Sequence, residues 1–349
     1  MRIISALGQV GAIRRGFGTA LVAAALALTA PPAAQALTIN PTFGSSITSD
    51  SNALAIEAAI NTAISAITSL IANAFTVNIF FGTGAIGGLG TNSVALNGAS
   101  FSSVRAALVA ESLANPSDTV LATAVANLPT GSTAPNGQST IALTSANFMA
   151  LGGNPSGCVN AAGAYVSGCS GTGVYAGAVT LTNAAGVLDY TRPIASGQYD
   201  ALRVIEHEMD EIFGIGGAGS MLGTIYQNSA SGMTDLYRYS AAGVNSYTTS
   251  SAATAYFSVT GGVTSVIGAN QSSTGDYADF ASASGCPQYV QDAFSCPNQT
   301  ADLSRTSPEA ILLQAIGYQL TTKVPEPGTI ALLGLGLVAL PAIRRVRKI

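Results

Sequence analysis

An uncharged apolar run stands at each end of this chain, and a basic cluster flanks each run, so the folded part must lie between them. At the N-terminus, Arg2, Arg14 and Arg15 precede the run Phe17 to Ala30, and Ala34-Gln35-Ala36 follows it. Basic residues, an apolar run and a small-residue A-x-A site are the three parts of a secretory signal peptide, over residues 1–36. A retained span would need about 20 apolar residues, and this run ends early at Pro31-Pro32. Arg14-Arg15 also allows twin-arginine export. At the other end, Val324-Pro325-Glu326-Pro327 precedes the uncharged stretch Gly328 to Ile343, then Arg344, Arg345, Arg347 and Lys348. Basic residues beyond an apolar segment stay cytoplasmic, which places 37–323 outside the membrane.

That exported part carries six basic and sixteen acidic residues, a formal charge of −10. Such a balance argues against nucleic acid as a partner, since phosphate binding needs a basic surface. The length suits one large domain or two small ones, with ample core, and the fold class expected is α/β (α+β). Cys158, Cys169, Cys286 and Cys296 all fall in the exported part. An even count in an oxidising compartment predicts disulfides. Three pairings exist; Cys158–Cys169 and Cys286–Cys296 are preferred because each closes a short loop. No C-x₂-C spacing supports a Cys₄ metal site.

Isoleucines 56, 60, 64, 67 and 71 recur at steps of three and four and predict a helix over 51–75. Val77 to Phe81 reads as a strand and Gly82 to Gly90 as a turn. Helices are expected at 101–113, 117–127 and 143–151, a loop at 129–139 and a strand at 174–181. The clearest later helix is 198–213, with Leu202, Ile205, Met209 and Ile212 as its apolar stripe and Gly214 past its end. Strand-like pieces at 234–240, 255–260 and 263–268 and a helix from Pro308 to Ile316 complete the pattern.

The single histidine, His207, lies in Glu206-His207-Glu208-Met209-Asp210-Glu211. Residues four apart share a helix face, so His207 and Glu211 can reach one metal ion, with Glu208 to the side. That is the layout of H-E-x-x-H hydrolases, with a glutamate replacing the second histidine. A third ligand must come from elsewhere: Asp235 is the first candidate, and Asp276 and Asp279 are the reserve. Tyr237 and Tyr239 are candidates for stabilising an oxyanion. The bland alternative is a solvated acidic face, with Arg203 paired to Glu206 and His207 to Glu211.

Two resemblances sharpen this reading. Residues 324–349 resemble the PEP-CTERM sorting signal of Gram-negative bacteria, with Pro325, Glu326 and Pro327 as its motif. It implies processing by an exosortase-type enzyme and membrane association through the C-terminal helix, with the chain held at the envelope or released to the surface or extracellular polymer. His207-Glu208-x-x-Glu211-x-x-Gly214, with stretches around 235–241, 255–258, 275–277 and 313–318, resembles a family of PEP-CTERM-associated, metzincin-like metalloproteases. It implies a central active-site helix, His207, Glu211 and Asp235 as metal ligands, and Glu208 as the base that activates water against a peptide carbonyl. Met233 is a weak echo of the Met-turn. Zinc is the implied ion, although one histidine with two carboxylates also suits manganese or calcium. The alternative function is a non-catalytic surface or matrix protein whose H-E-x-x-E helix is structural or binds a cation.

Overall fold

The computed structural model describes residues 36–321, apart from 283–285 and 287. The signal peptide and the C-terminal sorting signal with Pro325, Glu326 and Pro327 lie outside the described residues, save Ala36.

The first sheet runs Thr38–Phe43, Thr76–Gly84, Gly177–Thr182, Gly90–Val94 in spatial order. The first three strands are parallel, and Gly90–Val94 is antiparallel at the edge. Parallel neighbours need a crossover, and helix Ala53–Leu70 supplies the first. Ile56, Ile60 and Ile67 on its inner face are buried. This helix is also long and apolar enough to cross a membrane by length and composition, but here that face joins the main core. Phe81 and Ile79 on the central strand are fully buried in the same core.

Leu96–Ser100, Thr140–Thr144 and Ser231–Gly232 make a second, three-stranded sheet. A small antiparallel sheet contains Arg238–Ala241, Val244–Asn245, Tyr256–Phe257 and Ile267–Gly268. Helices Phe101–Ala114 and Thr119–Ala126 are capped by Ser100 and Asp118, whose side chains accept from the amides of Ser103 and Leu121. The last helix, Pro308–Ala315, leads to Tyr318, whose ring meets Phe213 edge-on at 5.8 Å. The described chain then reaches the end of the first long helix, where the Thr321 N–H donates to the Leu70 carbonyl at 2.9 Å. The molecule is thus a mixed α/β fold.

Helix Ala201–Ile212 lies at the centre, three residues shorter at its start than the sequence predicts, because Tyr199–Asp200 pairs as strand with Leu188–Asp189. Its end is built by the sequence. Gly214 takes φ +91°, its amide donates to Glu211 O and the Ile215 amide donates to Asp210 O. This pair of bonds is the Schellman closure, which favours glycine at the left-handed position. The alternative of a solvated acidic face does not hold. Glu206, Glu208, Asp210 and Glu211 are all buried, and Arg203 donates to the backbone carbonyls of Tyr289 and Asp292 instead of pairing with Glu206. Most of the helix is covered by protein, and His207, Glu208 and Glu211 line a cavity along one side of it.

The cysteines pair as Cys158–Cys169 and Cys286–Cys296. The first bridge ties the hairpin Gly157–Val159/Tyr165–Ser167, and the second closes a loop against the central helix.

Candidate metal centre

Helical spacing brings His207 Nε2 and Glu211 Oε1 to 3.4 Å. Asp279 joins them from a loop, with its Oδ2 at 3.9 Å from the same nitrogen. One donor atom from each residue lies within 4.8 Å of the others. The imidazole is oriented from behind, because Nδ1 stands 3.0 Å from the Val290 carbonyl. Donation from Nδ1 sets Nε2 as the nitrogen that faces the two carboxylates, where it holds a proton in the metal-free pocket and can take a metal once that proton leaves. Asp279 Oδ1 accepts from the Gly217 amide at 3.2 Å and from Gln291 Nε2 at 3.0 Å, which leaves Oδ2 toward the histidine.

Asp235 does not belong to this centre. Its Oδ1 accepts from the Ser220 hydroxyl at 2.5 Å, and its Oδ2 from the amides of Met221 and Gly232 at 2.9 and 2.8 Å. These three donors commit both oxygens to holding the chain between 220 and 232. The reserve candidate Asp279 takes the place predicted for Asp235, and Asp276 lines the same cavity from an exposed position. Tyr237 is buried and donates to the Ala315 carbonyl at 2.8 Å, and Tyr239 is buried in the core face of its strand. Neither lines the cavity, so the oxyanion role is withdrawn. Met233 is likewise a core residue.

Glu208 points into the same cavity, which holds about 660 Å³. Asn92 of the edge strand donates to Glu208 Oε2 at 2.9 Å and also to Glu211. Gly90 of that strand leaves room for the acid: a Cβ there would stand 2.5 Å from Glu208 Oε1. Sequence reading missed Asn92, Gln291 and Val290. Only Asn92 left a trace, as a polar residue within a short stretch that lacks strand character.

The electrostatics follow from burial. Desolvation is the largest influence on the Glu208, Glu211 and Asp279 carboxyls and raises all three above the ordinary range. His207 moves the other way from what burial dictates. Desolvation opposes its charge, but Glu211, Asp279 and Glu208 outweigh it and push the imidazole up to about 10. Glu206 is raised to about 8, chiefly by desolvation, against the Leu303 amide that donates to it. Asp210 is raised well above its ordinary value by burial, then by Glu309 and Glu206; neither of its oxygens has a partner.

A pocket with this many buried acids holds protons unless a cation replaces them. One imidazole nitrogen with a fixed tautomer and two carboxylate oxygens in one cage form a donor set suited to a divalent ion. No curated protein and no solved structure matches the chain. Residues 323–348 match the PEP-CTERM protein-sorting motif, which directs export and exosortase-dependent sorting to the cell surface.

Proposed function

We propose that the chain is a metal-dependent peptidase of metzincin-like design that works at the cell surface. His207, Glu211 and Asp279 hold a divalent cation, zinc or manganese. The observation that carries the reading is the position of Glu208, beside this cage and beneath the free edge of strand Gly90–Val94.

Each part of the site has a task. A divalent cation, when bound, polarises a carbonyl and makes water acidic. Glu208 accepts the proton of the attacking water and later passes it to the leaving amine. Asn92 holds that carboxylate in place. A peptide laid along Gly90–Val94 as an added strand presents its carbonyl to the cage, with main-chain hydrogen bonds supplying affinity. The sorting tail keeps this chemistry at the envelope, and cleavage near Pro325-Glu326-Pro327 sets whether the domain stays tethered or leaves.

Glu208→Gln tests the reading. The variant is expected to keep its metal, since Glu208 is not a ligand. It should cleave an unfolded protein substrate about 10²–10⁴-fold more slowly. Cleavage at the wild-type rate removes Glu208 from the reaction. A metal-loaded wild type that cleaves nothing favours the non-catalytic surface protein.

A further inference from the structure

We propose that Gln291 completes the centre as a fourth donor through its side-chain carbonyl oxygen, giving one nitrogen and three oxygens suited to an oxygen-preferring divalent cation such as Mn²⁺. This inference rests on the metal centre described above.

Gln291 is fully buried. Its own amide donates to Glu309 Oε1 at 3.0 Å, and the loop around it is closed by Cys286–Cys296. Its side-chain nitrogen stands 3.0 Å from Asp279 Oδ1 and 3.4 Å from His207 Nε2. The second distance equals the 3.4 Å between His207 Nε2 and Glu211 Oε1. Donors that share a small ion at about 2.1 Å stand roughly 3–3.4 Å apart, so the end of this amide is spaced as a ligand. Its other atom, Oε1, is buried without any partner. An unpaired buried acceptor is costly, and here it sits on a side chain that already reaches the cage.

An amide N–H₂ repels a cation and a carbonyl oxygen attracts one. A half-turn of the terminal amide exchanges the two within the same volume. The oxygen then joins the cage, the nitrogen takes the space the oxygen held, and Asp279 Oδ1 keeps the Gly217 amide as its donor. The backbone makes room for this side chain: a Cβ on Gly216 would lie 1.9 Å from the Gln291 nitrogen, and Gly216 holds φ +74°. Three hard oxygens and one imidazole shift preference toward Mn²⁺ or Ca²⁺ relative to a His₃ site.

The test is Mn²⁺ affinity of the full-length, disulfide-bonded protein, read by competition with a chromogenic chelator. Gln291→Glu retains an oxygen donor and is expected to bind Mn²⁺ as tightly as wild type or more so. Gln291→Met has similar bulk and no hard donor, and is expected to bind about tenfold to 100-fold more weakly. Thermal midpoints in chelator show whether each variant is folded. If the methionine variant does not fold, Gln291→Asn, which withdraws the oxygen by one methylene, replaces it. Weakening by glutamate as well as methionine means that the amide N–H merely positions Asp279, and overturns the proposal. Unchanged affinity in both variants also overturns it. A wild type that takes up neither Mn²⁺ nor Zn²⁺ is a different result, because it removes the centre itself.

Discussion

Replacing His207 with alanine is expected to lower divalent-cation affinity by at least about 100-fold and to erase the stabilisation that the ion gives. The variant loses the sole nitrogen donor and leaves Glu211 and Asp279 facing each other with no cationic group between them. The wild-type effect should depend on pH, with a definite sign. Glu206 is raised to about 8 and His207 to about 10, from ordinary values of 4.5 and 6.5; Glu211 and Asp279 are also raised. A group whose folded value is raised binds its proton more tightly in the folded state. Its stabilisation is therefore complete below the unfolded value and is lost as pH rises through the folded one. The metal-free protein should thus weaken from about pH 4.5 upward. A cation needs the ligands without their protons, so it binds better over the same range. The rise in thermal midpoint on adding Mn²⁺ should be small at pH 5 and large at pH 8, and absent at both in His207→Ala. A constant rise across this range, or one retained in the variant, would contradict the assignment.

The second large effect is on stability. Arg238 is fully buried. It donates to the carbonyls of Tyr277 and Asn270 and to the Gln271 side chain. Desolvation lowers the guanidinium to about 10, against the field of nearby Asp235, so it stays charged at neutral pH. Arg238→Met fills much of the volume but leaves these acceptors unpaired in the interior. Losing several buried hydrogen bonds to a charge costs roughly 3–5 kcal/mol, or a fall in thermal midpoint on the order of 10 °C. Tyr277 lies two residues before Asp279, so metal affinity should fall with stability. A urea midpoint within about 0.5 kcal/mol of wild type would show that the arginine is dispensable.

What could be read from the sequence follows from which interactions are local. Helix Ala201–Ile212 was legible because its apolar stripe and Gly214 obey short-range rules, and with it came His207, Glu208 and Glu211 on known faces. Its burial was not legible. Glu206 and Asp210 resemble a solvated acidic face until the helix is seen enclosed by the sheet, the final helix and the 288–296 loop. Strand Gly90–Val94 was not anticipated: the expected turn ended on Gly90, and Gly, Thr, Asn and Ser in the rest give little strand signal. Those residues serve the cavity, where Asn92 holds Glu208 and Gly90 makes space. Asp235 and Asp279 are both aspartates within two residues of an aromatic one, and composition cannot rank them. The ranking comes from three donors, Ser220, Met221 and Gly232, that satisfy Asp235 within its own loop. Asp279 is carried to the centre across 68 residues from Glu211, by a segment with little periodicity that Arg238 and Gln291 hold in place.

The central claim is that His207, Glu211 and Asp279 bind one divalent cation. It is tested most directly by metal analysis of the purified full-length protein beside Asp279→Asn and Asp235→Asn. Wild type is expected to carry about one equivalent of metal, Asp279→Asn little, and whatever folded protein Asp235→Asn yields as much as wild type. Metal lost from Asp235→Asn but kept by Asp279→Asn, or absent from all three, would contradict it.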